Sequence, residues 1–349
     1  MKVPCSYGAL FLKKKQTLIL MKHIIIFGGA GFIGTNLTKK LLEDGHKVLC
    51  VDSFITGRVS NLEQFKDNKN FKFHIGDIVN VILWTQIIYD WIYEFFGEDS
   101  KVDEIYNLAC PASPQKYLAH PLLTLRTSVA VQNICIFAKH VNAKLLHAST
   151  SEIYGDPDDQ HHPQNEEYHG NVNTIGPRSC YDEGKRLAET IMYEYKKLGT
   201  KCKIVRIFNT YGPYMDPKDG RVVSNFICQA LKNENITIYG DGTQTRSFQY
   251  IDDLVRGLIQ MMETDDDYFG PVNIGNPVEF TINELAQIVK ELIPESTSSI
   301  IYEELPKDDP LQRKANISRA YHMFGYDPKI QLREGLIKTI EYFRNEISK

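Results

Sequence analysis

One feature constrains this chain more than any other. A short apolar run, His23-Ile24-Ile25-Ile26-Phe27, leads directly into the turn Gly28-Gly29-Ala30-Gly31-Phe32-Ile33-Gly34. Gly28, Gly31 and Gly34 stand three residues apart, and an amphipathic stretch, Phe32–Glu43, follows them. A strand that must turn at once into a helix needs glycine for the tight bend and for close backbone packing. The helix then opens with unpaired N–H groups and the positive end of its dipole, which together hold phosphate. Asp52 ends the next apolar run, Lys47–Val51, about twenty residues on. An acid there accepts ribose hydroxyls and repels a 2′-phosphate, so the ligand read from the turn is NAD. Arg58 is the nearby cation that would argue for NADP instead. A glycine motif alone is weak evidence. Strand, helix and acid around it make it specific.

The rest of the chain repeats the alternation. Apolar, β-branched runs at Lys72–Ile75, Glu104–Leu108, Lys144–Ala148 and Lys203–Phe208 read as further strands, with helical patterns such as Leu122–His140 between them. Such repetition predicts a doubly wound parallel sheet of the Rossmann type, α/β, covered on both faces. Trp84, Ile87, Ile88, Trp91, Ile92 and Phe95 recur at the spacing of one helical face and read as a core-facing crossover helix. Beyond Phe208 turns become frequent, and Thr281 with Glu284 forms a capping-box pattern before the helix Ile282–Leu292. The expected division is a loosely ordered extension at 1–21, a dinucleotide-binding domain at 22–208, and a smaller substrate-binding lobe at 209–349. Some segments of that lobe return to the first domain.

Composition removes other classes of function. A net charge of -4 over 349 residues gives no general attraction to nucleic acid or to an anionic membrane. The seven cysteines are scattered without a C-x-x-C pair, which reads as reduced thiols in a cytoplasmic protein. His161 and His162 have no thiolate or further histidine at ligand spacing, so no metal site is expected. Near the start, Lys22 and His23 interrupt the apolar residues, which fall short of the ~20 needed to span a bilayer. Lys13–Lys15 imitate the start of a signal peptide, but no small-residue cleavage site follows them. Met21 is an alternative start.

Two clusters carry chemistry. Tyr181 and Lys185 stand four apart in Tyr-Asp-Glu-Gly-Lys, so a helix presents both on one face. A phenol is a poor base at neutral pH, with a pKa of ~10. A nearby ammonium and a positively charged nicotinamide both favour the phenolate, which then takes a hydroxyl proton during oxidation. The strand Lys144–Ala148 leads into Ser149-Thr150-Ser151-Glu152, beyond the carboxyl end of the sheet where ligands bind. Thr150 supplies a hydroxyl for the reacting oxygen, and Glu152 a carboxylate for proton handling.

Taken together the chain resembles the extended short-chain dehydrogenases, and within them the UDP-glucuronate decarboxylases, also called UDP-xylose synthases. The similar segments are GGAGFIG, NLACPASP from Asn107, TSEIYGDP from Thr150, HPQNEEY from His162, IGPRSCYDEGKR from Ile175, RIFNTYGP from Arg206, DGRVVSNF from Asp219 and YGDGTQTRSFQY from Tyr239. The resemblance implies oxidation of the glucuronosyl ring at carbon 4 by NAD, loss of carbon dioxide from the resulting β-keto acid, and re-reduction to UDP-xylose. By similarity Thr150 assists Tyr181 and Lys185, while Glu152 and Arg246 serve decarboxylation and reprotonation.

The resemblance also implies NAD contacts at Gly28, Gly31, Phe32, Ile33, Gly34, Asp52, Ser53, Phe54, Thr56, Gly57, Asp77, Ile78, Leu108, Ala109, Thr127, Tyr181, Lys185, Thr210 and Arg221. Substrate contacts are implied at Tyr117, Arg126, Asn209, Val223, Ser224, Asn225, Phe226, Tyr239, Gln244 and Arg246. Arg313 is a further diphosphate candidate, and a homodimer joined through the Tyr-Lys helix is implied, for which Leu187, Ile191 and Leu198 are suited. This chain has Arg126-Thr127 where the family has Lys-Thr, KANI at Lys314–Ile317 where it has KPDI, and a longer Asp77–Val102 segment. A 4-epimerase is argued against by Glu152 and the matching segments, and three further alternatives stand beside the main reading. One is a decarboxylase that stops at the UDP-4-keto-pentose and releases NADH. Another is a nucleotide-sugar 4,6-dehydratase, against which Ser151 argues. The third is a non-catalytic NAD-binding regulatory protein, which has no need of the Thr150, Tyr181 and Lys185 set.

Overall fold

The computed structural model describes residues 20–84, 86–98, 100–305 and 312–348. The expected extension therefore lies almost wholly outside the described residues, together with Cys5 and Lys13–Lys15. A seven-stranded sheet forms the centre: β1 His23–Phe27, β2 Lys47–Asp52, β3 Phe71–Ile75, β4 Glu104–Asn107, β5 Lys144–Thr150, β6 Cys202–Ile207 and β7 Val272–Ile274. Their spatial order is β7-β6-β5-β4-β1-β2-β3, and every pairing is parallel. The order reverses between β1 and β4, which opens a crevice at the carboxyl ends of those strands. Six of the seven strands match runs legible in the sequence. The seventh, β7, is three residues long and too short to stand out from turns on either side.

The strands are buried almost throughout. Ile24, Ile25, Ile26 and Phe27 have no exposed surface, as befits a central strand covered on both faces. One apolar cluster joins β1, β2 and β6 to the C-terminal elements, and another packs the opposite face under the helices between β3 and β6. Thr281 and Glu284 complete the expected capping box, each side chain meeting the other residue's backbone N–H.

Two expectations shift. The stretch Leu122–His140 is not one helix: α2, Pro121–Val129, ends at Ala130, and α3, Val131–His140, begins beyond it. By length and composition that stretch could cross a membrane, but half of its apolar window is buried in the fold, as in a core helix. In the 77–102 segment Trp84 ends a 3-10 turn, and the helix proper is Gln86–Phe96. Its buried line is Ile88, Ile92 and Phe96, with Trp91 and Phe95 partly covered, whereas Ile87 is exposed. Trp84 falls outside the helix, and Ile87 lies about 100° from Ile88, at the edge of the buried line.

Candidate active site

The glycine turn behaves as its composition requires. Gly28 has φ +83°, and a Cβ there would meet the backbone of Leu108 and Ala109 at 2.7 Å. At Gly34 a Cβ would lie 2.3 Å from the Gly28 carbonyl, so these two glycines let β1, β4 and α1, Phe32–Glu43, approach closely. Gly31 differs: a Cβ would meet only the Gly28 carbonyl oxygen, at an ordinary contact distance of 3.4 Å, so close packing does not demand glycine here. Gly31 is also the N-cap of α1, and no side chain caps the helix. Its first-turn amides are thus left for a ligand, in a cleft lined by Gly28, Gly31, Phe32, Ile33 and Gly34. Those residues fit a dinucleotide pyrophosphate.

Asp52 holds this turn as well as facing the cleft. Its carboxylate accepts the Ala30 N–H at 2.9 Å and the Phe54 N–H at 2.8 Å. Burial raises its pKa, and the amides of Phe54 and Ala30 pull the other way. A carboxylate has about four acceptor sites, so two amide bonds leave room for ribose hydroxyls. Arg58 lines the cleft, but its guanidinium is paired with Glu346 at 2.8 Å. That pairing weakens the argument for a 2′-phosphate.

The NAD contacts expected by resemblance fall in one continuous channel. Thr56, Leu108, Thr210 and Arg221 line the part nearest Tyr181 and Lys185. Asp52, Ser53, Gly57, Asp77, Ile78, Ala109 and Thr127 line the adjoining part under the ends of β2 and β3. Phe54 is the exception. Its ring packs edge-on against Phe73, and its part is to offer a backbone N–H to Asp52. Cys110, which the sequence reading did not single out, lines both parts of the channel.

Tyr181 stands in the first turn of α4, Ser179–Lys197, with Lys185 one turn further on. The Lys185 ammonium donates to the Ala148 carbonyl at 2.7 Å and lies 5.8 Å from the Tyr181 ring centroid. Burial pushes the Tyr181 phenol well above its ordinary pKa, the Cys110 thiol adds to this, and a hydrogen bond with Thr150 lowers it. The ring stacks on that of Tyr117, centroid to centroid at 4.9 Å. Both strand end and helix start are therefore needed to assemble Thr150, Tyr181 and Lys185.

Glu152 lies two residues beyond Thr150, on the 3-10 turn Ser151–Tyr154. Its partners are Arg178 and Arg313. Arg313 grips it with both terminal nitrogens, one of them at 2.8 Å from Oε2. Burial alone would raise this carboxyl, but the two guanidinium charges overcome it and hold the pKa far below the usual range. Arg313 was expected on a diphosphate, and Arg246 as a substrate contact sharing the decarboxylation stage with Glu152. Arg246 does line the same cavity, but its guanidinium reaches the Thr245 carbonyl at 2.8 Å. The reason is register: Arg313 and Arg246 are paired neighbours on parallel strands, and Arg313 is the one that reaches Glu152.

Arg178 was missed altogether. Its signal was present, because Arg178, Tyr181, Asp182 and Lys185 repeat at helical spacing. Asp182, buried beside this cluster, has its Oδ1 without a hydrogen-bond partner among the described residues. Burial and the Glu152 charge push its pKa up to about 7, against the opposing pull of Arg178 and Arg313.

A second cavity, of about 620 Å³, opens from the Glu152 side. Tyr117, Asn209, Val223, Asn225, Phe226, Tyr239, Gln244 and Arg246 line it, as expected of substrate contacts. The Tyr117 hydroxyl is buried there with no partner among the described residues. Two expected contacts fall elsewhere. Arg126 is exposed on α2 and lines neither cavity, because its neighbour Thr127 takes the inward position and successive helical residues point about 100° apart. Ser224 is fully buried and donates to the Arg221 carbonyl at 2.9 Å, closing the first turn of the helix Val222–Leu231.

Comparison with known proteins agrees with this geometry. A model of the NAD dependent epimerase/dehydratase family matches residues 24–275. The chain is 48% identical to UDP-glucuronic acid decarboxylase 1 of Danio rerio over 97% of its own length and 75% of that protein's. It is 49% identical to UDP-glucuronic acid decarboxylase 5 of Arabidopsis thaliana, over 92% of this chain and 89% of that one. Among solved structures, a UDP-glucuronic acid 4-epimerase from Bacillus cereus, in complex with UDP-glucuronic acid and NAD, superposes with a TM-score of 0.77 at 27% identity. That match covers 93% of this chain and 99% of the other.

Proposed function

This chain belongs to the NAD dependent epimerase/dehydratase family, on the branch of the UDP-glucuronic acid decarboxylases, and from that premise we propose that it converts UDP-glucuronate to UDP-xylose with release of carbon dioxide. The observation that carries the reading is the place of Glu152. It lines both the dinucleotide channel and the second cavity, two residues from Thr150, and it is held between two arginines. A sugar whose carbon 4 meets Tyr181 then has its carboxylate side toward a cluster built to handle charge.

NAD, when bound, supplies a reversible two-electron acceptor for carbon 4 of the sugar. Tyr181 takes the proton of the carbon 4 hydroxyl, with Thr150 bonding the same oxygen and Lys185 favouring the phenolate. Once carbon 4 is a ketone, the bond from carbon 5 to the carboxylate can break, its electrons passing to the ketone oxygen. Thr150 and Tyr181 stabilise the charge that develops there. Glu152, kept ionised by Arg178 and Arg313, is no proton donor at neutral pH. Its role is to orient a water that relays a solvent proton to carbon 5, with the arginines fixing the carboxylate's direction; Tyr181 then returns its proton to the carbon 4 oxygen as that carbon is reduced again. Asn209, Asn225, Tyr239, Gln244 and Arg246 hold the nucleotide-sugar in the second cavity.

The enzyme works as a homodimer in the cytoplasm on this reading. Leu122, Leu125 and Val129 on α2 and Leu187 on α4 are exposed, and α2 packs beside α4 where Ser128 meets Gly184. That apolar face supports a second copy as its cover. Of the three residues first considered, Leu187 on α4 and Leu198 just beyond its end are exposed, while Ile191 packs against the core. The cysteines among the described residues are free thiols.

The test is incubation with UDP-glucuronate and NAD, following carbon dioxide, nicotinamide absorbance and the sugar product, with light scattering of the same preparation. Carbon dioxide with UDP-xylose and no net NADH is expected. Accumulating NADH with a keto-pentose would favour the rival that stops halfway, and no reaction would remove the decarboxylase reading.

A further inference from the structure

Arg313 reaches Glu152 from a segment with little regular structure of its own. It lies on the two-residue strand Gln312–Arg313, parallel to Thr245–Arg246, and a single isolated bridge ties Ala315 to Gln164 on its other flank. Gln164 is 1% exposed, so every polar group on it must find a partner inside the protein. Each one does. Its backbone N–H donates to the Lys314 carbonyl at 3.0 Å, and its carbonyl accepts the Asn316 N–H at 2.9 Å. Its side-chain Oε1 accepts the Lys314 N–H at 2.8 Å, and its Nε2 donates to the Gln312 carbonyl at 3.5 Å.

The two groups met by the side chain belong to the two peptide units on either side of Arg313. Holding both fixes the backbone of Arg313, and with it the direction in which the guanidinium leaves the chain. The other half of the pair hangs on the same post. Asn273 donates from Nδ2 to the Gln164 carbonyl at 3.0 Å and accepts the Tyr154 hydroxyl at 2.8 Å. Tyr154 ends the 3-10 turn that carries Glu152. Gln164 lines neither cavity, so it has no direct contact with the ligands of either.

We propose that Gln164 is a positioning residue that sets the Arg313 guanidinium on the Glu152 carboxylate, and through that pair serves the decarboxylation stage. The inference rests on the decarboxylase reading for its chemistry, but its geometry stands apart from it. Gln164→Leu keeps the bulk and removes both side-chain hydrogen bonds. Misplacing a reacting group by about 1 Å costs on the order of 100-fold, so kcat should fall by about 10- to 100-fold. KM for UDP-glucuronate should stay within about twofold, because uniform binding is untouched. Gln164→Glu keeps the acceptor oxygen for Lys314 and should recover part of the loss.

A double-mutant cycle with Arg313→Ala separates positioning from general damage. If Gln164 acts through Arg313, the double variant is no slower than Arg313→Ala alone. Wild-type kcat in Gln164→Leu, or losses that multiply in the double variant, would overturn the proposal. Should the leucine variant fail to fold, the glutamate variant carries the test, and wild-type kcat there overturns it equally. Should the wild-type enzyme fail to decarboxylate UDP-glucuronate, the function reading falls by itself. A crystal structure of Gln164→Leu then decides the positioning: Arg313 displaced from Glu152 supports it, and Arg313 still seated there refutes it.

Discussion

Thr150 and Glu152 are separated by one serine, yet the groups around them are electrostatic opposites. On the Thr150 side stand two hydroxyls and one ammonium, and the phenol of Tyr181 is pushed up by burial. On the Glu152 side a carboxylate lies between two guanidiniums and is pushed down. The first arrangement is short of positive charge. Tyr181 loses its proton readily only when a further cation, such as an oxidised nicotinamide, stands beside it. The second arrangement has charge to spare and keeps one protonation state across the physiological range. The half that moves a proton is thus conditional on its cofactor, and the half that faces the carboxylate is constant.

The strongest way to break this division is Tyr181→Phe. It removes the proton acceptor and leaves the Tyr117 stacking face in place. Turnover should fall by about 100- to 10,000-fold, the range for a positioned acid or base, with NAD affinity little changed. Steady-state rates and cofactor titration check this, and full retained turnover would refute the assigned role.

Glu152→Gln tests the other half and should sharpen the contrast. Oxidation at carbon 4 is assigned to Thr150, Tyr181 and Lys185, so it should survive. UDP-xylose formation should slow by about 100-fold, the cost of a proton donor no longer held in place. A burst of reduced cofactor and of carbon dioxide, each close to one per enzyme, ahead of slow UDP-xylose formation is the expected record in rapid mixing. If the burst and UDP-xylose formation fall in parallel, the two halves are not separable.

The two halves also differed in how far they could be read from sequence. The glycine turn, Asp52 and the Tyr181–Lys185 pair are local patterns, because a strand–turn–helix or one helical turn keeps its members within a few residues. Thr150 was legible for the same reason, as the end of a strand. The Glu152 cluster is not local: Arg178 comes from the start of α4, and Arg313 from a segment 161 residues beyond Glu152. Choosing Arg313 over Arg246 required the register of two short strands, which spacing along the chain cannot supply. Arg126 shows the converse error. A residue adjacent to a site in sequence need not face it, since Thr127 already occupies the inward position on α2. The strand β7 was lost because three buried residues among turns carry almost no periodic signal.

The last effect is read in stability and not in rate, and concerns Asp182, which touches both halves by charge: Glu152, Arg178, Arg313 and Glu183 all act on it. Its carboxyl titrates at about 7 in the folded chain, against ~3.9 in an unfolded one. Between those values the unfolded state has given up the proton while the folded state keeps it. The unfolded state therefore binds fewer protons, and stability falls as pH rises through that window, levelling off above it. Asparagine has no such slope. Asp182→Asn should match the wild type near pH ~4 and become the more stable protein as pH rises, by up to about 4 kcal/mol near pH ~8. The carboxylate also lies in the first turn of α4, where its charge favours the helix dipole by about 0.3–1 kcal/mol, and losing this trims the gain. Melting curves of both proteins across the pH range read the difference directly. A constant offset, with no change of slope between pH ~4 and ~7, would mean that Asp182 is ionised throughout and that the two arginines neutralise both carboxylates together.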